Sequence, residues 1–176
     1  MLNIDDRIKG MIEEDDAASE TERLFLYSLV RAISPEVAVE IGTHKGLTAL
    51  YIAQALYDNQ KGILHTTDPS DYGQDSNFGK FPVLKNFIKV HKVKGEDLDI
   101  DKVDFLFIDG FHEEEYVVAE FNHFAQRLSE KAVVVFHDCG GDNEKVGVNS
   151  AIKKLGLETA FLPTENKMRI YGKFKP

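Results

Sequence analysis

Residues able to move protons or hold a cation gather in three short stretches of this 176-residue chain. Asp109 and His112 stand three apart in Ile108-Asp109-Gly110-Phe111-His112, and His137 and Asp138 are adjacent in Phe136-His137-Asp138-Cys139. An imidazole with an unperturbed pKa near 6.5 suits general-base work at neutral pH, and a neighbouring carboxylate orients the ring or holds a divalent cation. The third stretch, Glu40-Ile41-Gly42-Thr43-His44-Lys45-Gly46, is a glycine turn of the kind that offers bare backbone N–H groups to a ligand. Its spacing fits a dinucleotide badly, because His44 occupies the place of the middle glycine in G-x-G-x-x-G, and a G-x-x-x-x-G-K-[ST] phosphate loop is absent. Asp68 follows about 20 residues past the turn, where nucleoside-binding α/β folds grip two vicinal ribose hydroxyls with one carboxylate.

Each of these groups sits where one element ends and another begins. Residues 37–41 are apolar and rich in β-branching, which reads as a buried strand, and Leu47, Leu50, Tyr51, Ala53 and Gln54 carry a helical period after the turn. The strand over 63–67 ends on Asp68, the one over 103–108 delivers Asp109, and the one over 132–136 delivers His137 and Asp138. Residues 69–80 read as a loop, 81–87 as a short helix and 88–93 as a lysine-rich edge strand. A helix is expected from Glu113 to Gln126, its acidic first turn explained by the helix dipole, and another from Gly147. Two closing strands are expected over 159–163 and 168–174. Ahead of the first strand, Ile4, Ile8 and Ile12 mark one short helix. Ser19-Glu20-Thr21-Glu22 is a capping-box pattern before an apolar helix that Ser34-Pro35 ends. These N-terminal helices, over residues 1–34, either cover one edge of the sheet or close over a ligand as a lid.

The whole is read as a single domain over residues 1–176. A hydrophobic content of 43% is ordinary for a globular protein, and a net charge of -9 argues against nucleic acid or an anionic membrane as the main partner. Cys139 is the single cysteine, so no intrachain disulfide forms, which suits a reducing cytoplasm. The acidic N-terminus does not read as a signal peptide, and no apolar run approaches the ~20 residues needed to span a bilayer. An oligomer is left open.

Glu40-Ile41-Gly42-Thr43-x-x-Gly46-x-Thr48 resembles the first motif of class I methyltransferases that use S-adenosylmethionine. The series E-I-G-T-x-x-G, I-D-G-x-H, F-H-D and G-V-x-x-A-I is similar, over residues 36–155, to small-molecule O-methyltransferases related to the macrocin and mycinamicin sugar methyltransferases and cephalosporin hydroxylase-like sequences. That resemblance implies an α/β, Rossmann-like doubly wound sheet of seven strands in the order 3-2-1-4-5-7-6, with the last strand antiparallel. It implies that Glu40, Gly42, Thr43 and Gly46 hold the methionine half of the cofactor, and that Asp68 takes the ribose. Glu96 or Asp97 would meet the adenine amino group, with Asp109 on the same rim. Asp109 and Asp138 would coordinate Mg²⁺ or Mn²⁺, with His137 standing where the sugar enzymes carry an acidic ligand, and His112 matches their general base. The chain departs from the pattern at His137, because imidazole is a poorer Mg²⁺ ligand than carboxylate, and at Cys139, where catechol-type relatives have Asn. The expected activity is O-methylation of a small hydroxylated molecule, a sugar among the candidates. A metal-dependent hydrolase or hydroxylase on the same scaffold, or a non-catalytic cofactor-binding module, is the alternative.

Overall fold

The computed structural model describes Ile8 and residues 18–141 and 146–172. Five strands alternate with helices: β1 (Val37–Ile41), β2 (Ile63–Thr67), β3 (Ile88–His91), β4 (Val103–Ile108) and β5 (Leu128–Phe136). Two more, β6 (Ala160–Leu162) and β7 (Met168–Gly172), close the chain. The helices are α1 (Glu20–Ile33), α2 (Leu47–Asn59), α3 (Gln74–Gly79), α4 (Pro82–Lys85), α5 (Glu114–Ala125) and α6 (Val148–Lys154). The strands form one sheet in the order β3-β2-β1-β4-β5-β7-β6, the expected one. Its first five strands run parallel, while β7 runs antiparallel to both β5 and β6.

Side chains alternate across the sheet, so each strand feeds two cores. Ala38, Phe105, Phe107, Val133 and Val135 pack under α1 and α2 on one face. Val39, Ile41, Leu106, Ile108, Val134 and Phe136 pack under α5 and α6 on the other. Register then fixes the rim. Ile41 pairs with Thr67 on one side and Ile108 on the other, and Ile108 pairs with Phe136. The ladder continues one bond beyond the strands, from Gly42 N–H to Thr67, Asp109 N–H to Ile41 and His137 N–H to Ile108. Gly42, Asp68, Asp109 and His137 therefore leave the sheet side by side at its carboxyl end, the place where open α/β sheets bind ligands.

Several local expectations change. The stretch 69–80 is not all loop: α3 forms because Phe78, fully buried, inserts its ring beside Gly46. The lysine-rich strand is at the edge of the sheet as read, but ends at His91. β5 begins at Leu128 rather than Ala132, the extra residues pairing Val103 with Leu128. α1 has the expected capping box, with Ser19 Oγ accepting from Glu22 N–H and Glu22 accepting from Ser19 N–H. It ends at Ser34, whose φ of 47° takes it out of the helical region before Pro35. The helix lies on a face of the sheet and not along an edge, because its stripe of Leu26, Tyr27 and Val30 is buried in the core. Of the helix expected around Ile4, Ile8 and Ile12, Ile8 is helical and buried, and the remainder lies outside the described residues.

Candidate active site

The turn after β1 folds as it does because two positions admit no side chain. At Gly42, φ is +97° and a Cβ would lie 2.0 Å from the carbonyl oxygen of Asp109; at Gly46, φ is +84° and a Cβ would strike the Phe78 ring at 2.4 Å. Gly42 thus lets β1 and β4 close together at the rim, and Gly46 starts α2. Between them His44 takes a positive φ of 45° and donates its N–H to Asp68 Oδ2 at 3.0 Å. Asp68 Oδ1 accepts from Ser70 N–H at 2.9 Å, which fixes the carboxylate while leaving each oxygen a further lone pair.

Beneath the turn lies a chain of buried polar groups. Thr43 Oγ1 and Thr66 Oγ1 are 2.6 Å apart, and Thr66 donates to Glu40 Oε2 at 2.5 Å. Glu40 is fully buried. Burial pushes its carboxyl up to about 8, against the Thr66 hydrogen bond and with the charges of Asp109 and Asp68 adding to the rise. Glu40 and Thr43 therefore support the turn from below, while Gly46 caps a helix.

Above it opens a cleft of about 200 Å³. Gly42, His44, Asp68, Glu96 and Asp109 line it together with Tyr72, Phe111 and Glu120. Of the two adenine candidates, Glu96, from a single 3₁₀ turn over Gly95–Asp97, is in the cleft lining, and its neighbour Asp97 is exposed outside it.

Asp109 joins this cleft to the second group of candidates. His137 Nδ1 lies 2.8 Å from Asp109 Oδ1 and 3.1 Å from Asp138 Oδ2, and its Nε2 lies 3.2 Å from Glu22 Oε2. Asp138 adopts φ 54°, which turns its carboxylate back between two imidazoles, and His112 Nε2 reaches the same Oδ2 at 3.3 Å. Burial alone would lower the His137 pKa, but Asp109, Asp138 and Glu22 surround it with negative charge and push it up to about 12. Both ring nitrogens therefore carry protons. The partners respond in kind. Burial raises Glu22, yet bonds from His137, Thr164 and Ser19 bring it down to about 2; Asp138, raised by burial, is held below the usual carboxylate range by His137.

Two members of this arrangement were not singled out as site residues in the sequence. Glu22 is explained locally by its capping box, so nothing near it in sequence reveals the bond to His137. Glu120 had a signal: it breaks the buried stripe of Val117, Phe121 and Phe124 on α5. The three metal candidates do converge, since one donor atom each from Asp109, His137 and Asp138 lies within 4.8 Å of the others.

A parallel-rimmed seven-stranded sheet of this order, with a glycine turn after β1 and an acidic residue after β2, defines the α/β fold of class I methyltransferases. Residues 39–139 match the family model described as a methyltransferase domain, and the chain belongs to that family. An uncharacterised protein of Sinorhizobium fredii, y4gI, is 27% identical over 128 residues, 62% of this chain. That match spans 14% of the longer protein. Among solved structures, an SAH-bound methyltransferase of Podospora anserina superposes with a TM-score of 0.75 at 16% identity, covering 97% of this chain and 86% of that one. An O-methyltransferase of Bacillus cereus in complex with SAH superposes with a TM-score of 0.73 at 16% identity, covering 95% and 87%. At this identity the structural likeness bears on the fold.

Proposed function

We propose that the chain is an S-adenosylmethionine-dependent O-methyltransferase acting on a small hydroxylated molecule, in line with the resemblance of its four motifs to the macrocin and mycinamicin branch. The observation that carries this reading is the place of Asp109: it lines the cleft with Asp68 and the Gly42 turn, and its carboxylate lies 2.8 Å from His137, which joins it to Asp138 and His112 beside the cleft. Asp68 is set to take the ribose hydroxyls, the turn's backbone to take the methionine end, and Glu96 to accept from the adenine amino group. Phe111 and Tyr72, 53% and 47% exposed, flank the opening as apolar walls for an acceptor ring, a sugar face included.

Bound S-adenosylmethionine supplies a methyl group on a sulfonium, an electrophile that needs no further activation. The protein's part is to align an acceptor oxygen and take its proton as the O–C bond replaces the S–C bond. His112 suits that task, because Asp138 holds its Nε2 and leaves Nδ1 free to receive a proton. The His137 imidazolium, fixed between three carboxylates, sets the orientation of both Asp109 and Asp138.

The same residues fit a divalent cation. Asp109, Asp138 and His137 Nδ1 would supply its donors, and Nε2–H donated to Glu22 is the support a ligating histidine usually has. Nδ1 would have to give up its proton to ligate, and a nitrogen donor would favour Mn²⁺ over Mg²⁺. The cation would supply acidification of an acceptor hydroxyl.

The cofactor reading is tested by calorimetry. S-adenosylhomocysteine at 100 times its Kd should raise stability by about 2.7 kcal/mol, with NAD giving none. A flat titration with S-adenosylhomocysteine defeats the proposal.

A further inference from the structure

Helix α5 carries a carboxyl group where its apolar stripe should continue. Glu120 is 3% exposed on the face that holds Val117, Phe121 and Phe124, and it lines the cleft. Two glycines make room for it. A Cβ at Gly95 would meet Glu120 Cγ at 3.1 Å, and a Cβ at Gly110 would meet Glu120 Oε1 at 3.1 Å. Its Oε2 is buried with no hydrogen-bond partner among the described residues. A buried carboxyl oxygen without a partner, on a residue that lines a cleft, is costly in the empty protein, and a ligand atom that reaches the carboxyl relieves that cost.

Glu96, from the turn over Gly95–Asp97, is the charged neighbour whose field acts on Glu120, and Gly110, just past β4, lies against its carboxyl. Burial, with the charge of Glu96 adding to it, lifts the Glu120 carboxyl to about 8, so near pH 7 it keeps its proton. The cleft's other ionisable residues are His44, Asp68, Tyr72, Lys94 and Asp109. A protonated carboxyl donates from one oxygen and accepts with the other.

Resting on the cofactor reading above, we propose that Glu120 reads the cofactor's adenine, donating a hydrogen bond to a ring nitrogen while Glu96 accepts from the amino group. Adenine presents a donor amino group next to an acceptor ring nitrogen. Two ionised carboxylates would offer acceptors alone and would repel that nitrogen; the neutral acid provides the missing donor. Hypoxanthine reverses the edge, with an oxygen in place of the amino group and N–H in place of the acceptor at position 1. The pair therefore rejects a deaminated cofactor.

The experiment measures S-adenosylhomocysteine and S-inosylhomocysteine affinity by calorimetry for wild type, Glu120→Gln and Glu120→Leu. Glu120→Gln keeps a donor and an acceptor and should bind S-adenosylhomocysteine within about threefold of wild type. Glu120→Leu should lose about tenfold, the loss of one buried hydrogen bond, and should narrow the preference for adenine over hypoxanthine. Wild-type affinity should fall between pH 7 and 9, and Glu120→Gln should remove that fall. Equal affinity in wild type and Glu120→Leu overturns the assignment, as does a wild type that binds both nucleosides alike. If Glu120→Leu does not fold, matching pH profiles for wild type and Glu120→Gln overturn it instead. A wild type that binds S-adenosylhomocysteine while the variants leave its affinity unmoved defeats the role of Glu120 alone; a wild type that binds none defeats the cofactor reading and the role together.

Discussion

Replacing Glu22 by Gln tests the buried charge cluster directly. Glu22 is fully buried, and five donors converge on its two oxygens. Oε1 accepts from Thr164 Oγ1 at 2.7 Å and Asn166 N at 2.9 Å; Oε2 accepts from Ser19 N at 2.9 Å, His137 Nε2 at 3.2 Å and Asn166 Nδ2 at 3.2 Å. Gln preserves the shape but must turn an NH₂ group toward donors, whichever way its amide lies. It also removes one of the negative charges that hold the His137 imidazolium. Breaking a buried pair from one side costs about 3–5 kcal/mol, and a chain of this size shifts its Tm by about 2–4 °C per kcal/mol, so a fall of about 6–20 °C is expected. The pH dependence follows from the two shifts. Glu22, lowered from 4.5 to about 2, contributes stability that is present above 4.5 and lost as pH falls toward 2; His137, raised from 6.5 to about 12, contributes fully below 6.5 and loses it as pH climbs toward 12. Between pH 4.5 and 6.5 the pair acts in full, and there the variant should differ most from wild type. Urea unfolding of both proteins from pH 3 to 9 measures this. A difference below about 1 kcal/mol across that range would refute the reasoning, since it would place the pair in the range of exposed ion pairs.

Three further outcomes are expected. Gly42→Ala puts a Cβ 2.0 Å from the Asp109 carbonyl oxygen at a φ of +97°, so it should cost about 1–3 kcal/mol of stability in urea and weaken S-adenosylhomocysteine at least tenfold; wild-type affinity would contradict the placement of the turn. His112→Ala should leave cofactor affinity within a few-fold and cut turnover by about 10²- to 10⁴-fold, with a conserved rate pointing to another base. Mn²⁺ should bind more tightly as pH rises, because each ion displaces the His137 Nδ1 proton, and Asp138→Asn should abolish it; unchanged transfer in excess chelator would confine Asp109 and Asp138 to orienting His137 and His112.

What was legible in the sequence was what is decided locally. β1, the glycine turn and α2 follow from a short apolar run, two glycines and a helical period. Asp68, Asp109 and His137 were readable as one rim because a parallel strand ends where its apolar run ends, so polar residues just past three such runs must emerge together. Pairings across the chain left no such trace. Glu22 lies 115 residues from His137. Its capping-box position accounts for it so fully that no second role is called for, and α1 accordingly reads as a cover and not as the source of a buried counter-charge. The loop expected over 69–80 failed for the related reason that α3 depends on Phe78 finding Gly46, a contact no local propensity contains. Glu120 is the intermediate case. The acidic first turn of α5 is satisfied by the helix dipole and draws attention to Glu113, Glu114 and Glu115. The carboxyl that matters lies a turn further on, where Val117, Phe121 and Phe124 mark the buried face. A charged residue in phase with an apolar stripe has to be paired, neutralised or matched by a ligand. Here burial neutralises it, and the glycines at 95 and 110 let the uncharged carboxyl sit in the cleft wall, where a ligand can take its unpaired oxygen.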